Sequence, residues 1–236
     1  MSLNEGLLAY LMPDGIKAFV LFGSMFAVLF ISYLLGSINS AILFSKVIYK
    51  DDIRKHGSGN GGMTNMLRTF GGKAALLTLA GDLLKTAISV FLAGFIFGFH
   101  YFKGICTQDL CYVAGLAAVL GHVFPLYYRF KGGKGVLVTS TMALILTPIP
   151  FLILFALFAT MVAIFKYVSL GSVSVAALYP VVLSATFKVF GMPMPGMIAL
   201  SCIILACLIV WCHRENLKRI NDRTERKLSF KKKKDD

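Results

Sequence analysis

Long apolar runs separated by short polar segments dominate the chain. Seven runs carry little or no charge, namely 18–35, 74–99, 111–128, 136–147, 149–165, 168–187 and 194–212. A helix needs about 20 apolar residues to cross roughly 30 Å of hydrocarbon. We therefore predict an all-α integral membrane protein with about seven transmembrane helices. Several of them are short, and four prolines indicate breaks or kinks: Pro125, Pro148, Pro150 and Pro180.

The composition supports a membrane protein. The chain is 57% hydrophobic and only 15% charged, with a mean hydropathy of +0.77. Soluble domains carry about 25% charged residues, so a water-soluble globule is excluded. A disordered chain is excluded for the same reason, because too much apolar surface must be buried. We expect one membrane-embedded domain over residues 1–236.

The net charge of +13 is unevenly distributed along the chain. Segments 38–73, 129–134 and 213–236 are basic, whereas the alternate segments, such as 1–17 and 100–110, are not. Lys and Arg gather on the cytoplasmic side of a bilayer. The pattern predicts an outer N-terminal segment over 1–17 and a cytoplasmic C-terminus with a basic tail over 228–236. A nucleic-acid binder can be this basic but not this apolar, so no nucleic-acid partner is expected.

Two residue pairs have roles that the sequence leaves open: a possible disulfide and a charged pair. Cys106 and Cys111 fall in a predicted outer loop, where a disulfide could persist. Asp82 and Lys85 are three residues apart inside the second run, so they share a helix face and can pair. Such a pair is either structural or a substrate contact.

Two predicted cytoplasmic segments near the first run carry candidate chemistry. Residues 36–40, followed by Lys46, form either a plain helix end with an anchoring lysine or part of a site. Residues 56–68 contain many glycines and asparagines, which favour exposed N–H groups and positive φ angles. Such a loop can form an anion-binding concavity. A flexible linker is the alternative, but it has no need of this pattern ending in Leu67-Arg68.

A third segment, 130–135, surrounds Lys134 with three glycines. Backbone N–H groups and an ammonium can then approach a phosphate. The segment is not a nucleotide-hydrolysing P-loop, because Gly135 stands where that motif requires Ser or Thr. His122, just upstream on an apolar run, is interpreted as a hydrogen-bonded packing residue.

The fourth segment begins where the last run ends. His213 and Asn216 are three residues apart and share a face if the helix continues. A basic stop-transfer flank is the alternative, although it explains these two residues poorly. Together the four segments describe a pocket for phosphorylated small molecules beside lipid. An acyl-transferring enzyme fits better than a transporter or channel for organic phosphates, whose polar groups usually lie near the midplane.

With these motifs the chain resembles the bacterial acyl-phosphate:glycerol-3-phosphate acyltransferases. The likeness extends from about Tyr33 to Lys227. Its carriers are residues 36–38, 57–68, 82–85, 121–125, 130–136, 167–172 and 213–216.

The resemblance implies a seven-span enzyme of the bacterial inner membrane, in contact with lipid and with its site at the cytoplasmic face. Its reaction moves the acyl group of acyl phosphate to the 1-hydroxyl of sn-glycerol 3-phosphate, the first acylation of phospholipid synthesis. The products are lysophosphatidic acid and inorganic phosphate. Acyl-CoA and acyl carrier protein are not direct donors, and neither a metal nor another cofactor is implied. The His-x4-Asp dyad of acyl-CoA-dependent enzymes is absent from the sequence.

The resemblance also implies roles for individual residues. The catalytic set is Ser37, Lys134, His213 and Asn216. The substrate-binding set is Lys46, Asn60, Gly62, Thr64, Asn65, Arg68, Gly132, Gly133, Gly135, Ser169 and Ser172. The family often has Arg where this chain has Lys46, and the two are not interchangeable at a bidentate site.

Overall fold

The computed structural model describes residues 17–228, so the predicted outer segment and basic tail lie almost entirely outside the described residues. The helices are α1 (Lys17–Ser37), α2 (Ser40–Ile48), α3 (Met63–Phe70), α4 (Gly72–Phe97), α5 (Asp109–Val123), α6 (Val136–Leu146), α7 (Pro148–Phe165), α8 (Val168–Val189), α9 (Gly196–Cys212) and α10 (Arg214–Asn221). Short 3₁₀ turns occur at Ile53–Lys55 and Leu126–Tyr128.

Each of the seven predicted runs is a helix, namely α1 and α4 to α9. Five of them are long and apolar enough to cross a membrane, and α9 joined to α10 through a 50° bend is a sixth candidate. Helix α6 has 11 residues. At 1.5 Å per residue it is about 16 Å long, half of a typical hydrocarbon core. The count of seven crossings and the orientation of the termini therefore stay predictions.

The prolines mark helix ends at two of the three predicted places. Pro148 begins α7 directly after the end of α6, and Pro125 follows the end of α5. Pro180 lies inside α8 without ending it. The α6–α7 turn is buried, because Thr147 is fully enclosed and its hydroxyl lies 3.1 Å from the Tyr179 hydroxyl.

The predicted all-α fold is confirmed, and one small two-stranded hairpin is added to it. Strands β1 (Tyr101–Phe102) and β2 (Ile105–Cys106) pair antiparallel, with Tyr101 opposite Cys106. Cys106 in β2 and Cys111 in α5 are both buried and both free, so the structure contains no disulfide between them.

Helices α1 and α5 approach closely through two glycines. A Cβ atom on Gly36 would lie 2.1 Å from the Ala118 carbonyl oxygen, and one on Gly121 would lie 2.2 Å from the Tyr33 carbonyl oxygen. Small residues at such a crossing allow close van der Waals packing between membrane helices. The contact joins the ends of α1 and α5 from which the loops of the candidate site depart. Large apolar side chains such as Phe19 and Phe26 remain exposed on the outer surface, as expected for lipid contact.

The predicted pairing of Asp82 and Lys85 on α4 is confirmed. Their side chains are 2.9 Å apart and almost fully buried. The Ser40 hydroxyl donates to Asp82 Oδ1, while Lys85 Nζ donates to the carbonyl oxygens of Gly36 and Ile38. The pair therefore ties α4 to the end of α1.

Candidate functional site

A single cavity of about 630 Å³ brings most of the predicted site residues together. We call its charged part the polar end, lined chiefly by Arg68, Lys134, His213, Asn216, Arg219 and Glu225. We call its hydrophobic part the apolar limb, lined chiefly by Phe151, Leu154, Phe155, Phe158, Ala176 and Tyr179. The apolar limb lies among α6, α7 and α8, so one cavity joins a charged region to a channel for an apolar group.

Asn65 organises the glycine-rich loop at the polar end. Its Nδ2 donates to the carbonyl oxygens of Ile53, His56 and Asn60, and its Oδ1 accepts from Ser58 N. The side chain is 3% exposed. These hydrogen bonds shape the loop, and the predicted contact of Asn65 with substrate stays a prediction.

Asn65 and the other predicted members of this segment line the cavity. Asn60, Gly62, Thr64 and Arg68 all contribute to the polar end. Within residues 17–228 the Arg68 guanidinium makes no hydrogen bond, which leaves its donors available to an anion. Ser58 also lines the cavity and is exposed. We missed it because its neighbours are glycines and nothing in the sequence marks which loop atoms face inward.

The loop before α6 contributes less backbone than we predicted. Gly132 N donates to the Val123 carbonyl and Gly133 N to the His122 carbonyl, and neither glycine lines the cavity. These two N–H groups are therefore already paired and are not free for a phosphate. Lys134 and Gly135 do line it, together with the start of α6. The first N–H groups of α6 lack partners within the helix and favour an anion there.

A hydrogen-bonded chain fixes Lys134 and Asn216. Lys134 Nζ donates to Asn216 Oδ1, and Asn216 Nδ2 donates to Glu225 Oε1 at 2.6 Å. Ser169 Oγ and Arg219 Nε also donate to the Glu225 carboxylate, at 2.9 and 2.8 Å. The structure thus brings the predicted Ser169, Lys134 and Asn216 into one network. Its acceptor, Glu225, was missed because it lies in a charged tail that looks like a solvated surface.

The polar end is electropositive. Burial, together with the neighbouring charge of Arg219, lowers the pKa of Lys134 to about 8. Burial opposes ionisation of Glu225, but the three hydrogen bonds that it accepts lower the pKa of this carboxyl below its ordinary value. One carboxylate therefore faces Arg68, Lys134 and Arg219. Within residues 17–228 no group of three or more His, Cys, Asp or Glu side chains is placed to hold a metal ion.

His213 lies at the bend between α9 and α10 and is 4% exposed. Its Nδ1 is 2.8 Å from the Ile209 carbonyl oxygen. Because a carbonyl can only accept, this contact assigns the ring hydrogen to Nδ1 and leaves a lone pair on Nε2 in the neutral ring. His213 therefore offers a hydrogen-bond acceptor in the cavity.

Ser172 also lines the cavity, but its hydroxyl donates to the Val168 carbonyl.

Besides Gly132 and Gly133, two more predicted site residues, Ser37 and Lys46, lie outside the cavity. Ser37 is fully buried, donates to the Tyr33 carbonyl and accepts from Leu126 N, so it stabilises the α1–α5 corner. Lys46 lies in a separate surface depression, where its ammonium is 3.5 Å from Asp52. The resemblance implies that both contact the substrate, but neither side chain lines the cavity.

Comparison with known proteins gives consistent matches. A family model described as glycerol-3-phosphate acyltransferase matches residues 26–223. A glycerol-3-phosphate acyltransferase of Syntrophomonas wolfei is 38% identical over 205 residues, covering 87% of this chain and 97% of the relative. One of Geobacillus kaustophilus is 37% identical over 203 residues, covering 86% and 95%.

Two crystal structures of PlsY, an integral membrane glycerol 3-phosphate acyltransferase, have the same fold. The glycerol 3-phosphate form matches with a TM-score of 0.75 and the lysophosphatidic acid form with 0.73. Each is 30% identical, and each match covers 87% of this chain and 96% of the other. The chain therefore belongs to the glycerol-3-phosphate acyltransferase family.

Proposed function

We propose that this protein transfers an acyl group from acyl phosphate to the 1-hydroxyl of sn-glycerol 3-phosphate. Lysophosphatidic acid and inorganic phosphate are the products. The observation that carries the proposal is the single cavity in which a cationic polar end continues into the apolar limb. Family membership favours this enzyme over a transporter or channel for organic phosphates.

The polar end has the groups to hold phosphate. Arg68 and Lys134 supply cationic donors, and the first turn of α6 supplies backbone N–H groups. Hydrogen bonds to charged groups contribute about 1.5–3 kcal/mol each. Two or three such contacts are enough to select a phosphorylated substrate over an uncharged alcohol.

The apolar limb suits the acyl chain. It is lined by aromatic and aliphatic side chains of α6, α7 and α8. Leu144 on α6 and Phe155 on α7 both line the limb and are 45% and 55% exposed. The limb is thus open towards the lipid-facing surface, so an acyl chain can enter sideways from the bilayer without crossing water.

The chemistry needs little from the protein beyond placement. The hydroxyl oxygen attacks the carbonyl carbon, a C–O bond forms, and the bond from that carbon to the phosphate oxygen breaks. The phosphate leaves with the electron pair, and the hydroxyl proton ends on it. Acyl phosphate is already activated, so positioning and electrostatic stabilisation suffice without a covalent enzyme intermediate. The Nε2 lone pair of His213 accepts a hydrogen bond from the attacking hydroxyl, with Asn216 beside it.

Acyl phosphate is the donor that best matches the charge at the polar end. In this donor a phosphate is bonded directly to the reacting carbonyl, so two phosphates meet at the reaction centre. Arg68, Lys134 and Arg219 lie together there and screen the repulsion between them. A thioester donor, acyl-CoA or acyl-acyl carrier protein, places no phosphate beside its carbonyl.

The polar end is proposed to face the cytoplasm of the bacterial inner membrane. It is built from segments 57–68, 134–137 and 213–226, which belong to the three basic loops of the sequence. Positive loops favour the cytoplasmic side. Anionic membrane lipid is the expected neighbour of these loops.

The test uses purified protein with glycerol 3-phosphate and one donor at a time: palmitoyl phosphate, palmitoyl-CoA or palmitoyl-acyl carrier protein. Lysophosphatidic acid and free phosphate should appear only with palmitoyl phosphate. Lys134→Met should lower turnover by about 10²-fold, as for loss of one preorganised donor. Lys131→Met, which removes an exposed lysine of the same loop outside the cavity, should not.

Activity with a thioester alone would refute the proposed donor. Flux of glycerol 3-phosphate across sealed vesicles without chemical change would instead support transport.

A further inference from the structure

His122 is a buried histidine that the proposed chemistry does not use. It lies at the end of α5, is 4% exposed, and lines the cavity beside the loop that carries Lys134. Its Nδ1 is 2.9 Å from Lys85 Nζ. Within the described residues its Nε2 makes no hydrogen bond. Nε2 is also not one of the fully buried side-chain atoms that lack a partner, so it is accessible from the cavity.

The buried ion pair assigns the tautomer of this ring. Lys85 Nζ lies 2.9–3.1 Å from Asp82 Oδ1 and the carbonyl oxygens of Gly36 and Ile38, all of which accept. An ammonium has three N–H donors and no lone pair, so His122 Nδ1 can only accept in this contact, as a fourth acceptor that shares a hydrogen with one of the three oxygens. In the neutral ring the hydrogen is then on Nε2.

The Nε2–H group lies between the two glycine-containing loops of the site. A Cβ atom on Gly133 would be 2.0 Å from Nε2 and 2.9 Å from the Gly61 carbonyl oxygen. That carbonyl already accepts from Asn39 Nδ2. Glycine at position 133, which precedes Lys134 in the chain, thus leaves Nε2 uncovered.

We infer that His122 is a further catalytic residue, whose Nε2–H donates a hydrogen bond to a phosphate oxygen of a substrate. This inference rests on the proposed function. Asp82 and Lys85 are positioning residues, because they hold the ring with its donor towards the cavity. His122 and His213 then have opposite roles: His213 presents a lone pair to the attacking hydroxyl, and His122 presents a hydrogen to a phosphate.

A matched pair of variants separates donation from packing. His122→Gln and His122→Met introduce side chains of similar length and volume, but only Gln carries an N–H group. Loss of a hydrogen bond to a charged group should lower kcat/KM of the Met variant by about 10- to 100-fold relative to the Gln variant. Separate KM values for glycerol 3-phosphate and palmitoyl phosphate identify whose phosphate is held. Equal activities in the two folded variants would overturn the inference.

A second measurement does not depend on the variants being active. The wild-type protein is labelled with ¹⁵N-histidine, and the signal that is missing from the spectrum of the His122→Gln variant belongs to His122. If that variant does not fold, selective labelling assigns the signal. The His122 ring should be the neutral Nε2–H tautomer. The ¹⁵N chemical shift of its Nε2 should change on addition of glycerol 3-phosphate, inorganic phosphate or a non-hydrolysable palmitoyl phosphonate.

The outcomes of this measurement are distinct from those of the donor assay. An Nδ1–H tautomer, or an Nε2 signal that does not move at concentrations where glycerol 3-phosphate binds, would overturn the inference even if turnover confirms the enzyme. A responsive signal without turnover would support the hydrogen bond that His122 donates to phosphate and would refute the proposed reaction.

Discussion

Replacing Lys134 by arginine tests whether phosphate binding requires a titratable ammonium at the polar end. Burial and the charge of Arg219 lower the pKa of Lys134 to about 8. A bound phosphate stabilises the charged form and raises this pKa. The contribution of Lys134 to phosphate affinity is therefore fully present below pH 8 and is lost as the pH rises above it.

The magnitude follows from the ionised fraction. Between pH 8 and pH 10 the charged fraction of Lys134 decreases by a factor that approaches ten per pH unit. A factor of ten corresponds to about 1.4 kcal/mol of binding free energy. A phosphate ester is a dianion above its second pKa of about 6 and does not change in this range. Arginine stays protonated, so the Lys134→Arg variant should bind with a nearly constant Kd.

Isothermal titration calorimetry with glycerol 3-phosphate at constant ionic strength, from pH 7 to pH 10, measures how Kd depends on pH for the wild type and for the Lys134→Arg variant. The Arg variant is expected to bind more weakly at pH 7, because a planar guanidinium does not replace a point charge. Lys131→Arg, a change at an exposed lysine of the same loop, should keep the wild-type slope. Parallel pH profiles for wild type and Lys134→Arg would refute the assignment of Lys134 as the titrating phosphate contact.

Three further changes probe other parts of the cavity. Gly133→Ala places a methyl group 2.0 Å from His122 Nε2 and should raise KM for glycerol 3-phosphate about tenfold, whereas Gly72→Ala, with open space around it, should not. Ala176→Leu narrows the apolar limb, so turnover with palmitoyl phosphate should fall more than with octanoyl phosphate. Ser37→Ala should lower stability by about 1 kcal/mol in thermal unfolding and leave turnover intact, whereas Ser58→Ala should raise KM.

The helices were predictable because the bilayer limits the choices of the chain. Unpaired backbone groups are too costly in hydrocarbon, so long apolar runs form helices. Pro148 also located the α6–α7 break correctly. The β1–β2 hairpin escaped prediction because each strand has only two residues, too few to show an alternating pattern.

The site was predictable where residue type and spacing both pointed to it. Lys134, His213 and Asn216 are polar groups at the ends of apolar runs, and all three line the cavity. Ser37 has an equally suggestive position, but its hydroxyl is used by the Tyr33 carbonyl one turn earlier. Glu225 lies among basic residues of the tail and becomes informative only when its three donors are known.

The buried pair on α4 shows why part of the chemistry is invisible in the sequence. Burying Asp82 and Lys85 costs desolvation energy that the pair recovers only through good geometry and further hydrogen bonds, so stability alone is a weak reason for it. The structure supplies another reason: Lys85 crosses from α4 to His122 on α5 and fixes which ring nitrogen carries the hydrogen. That contact joins residues 37 positions apart. A histidine that the sequence marks as packing therefore becomes a directed donor only through a distant lysine.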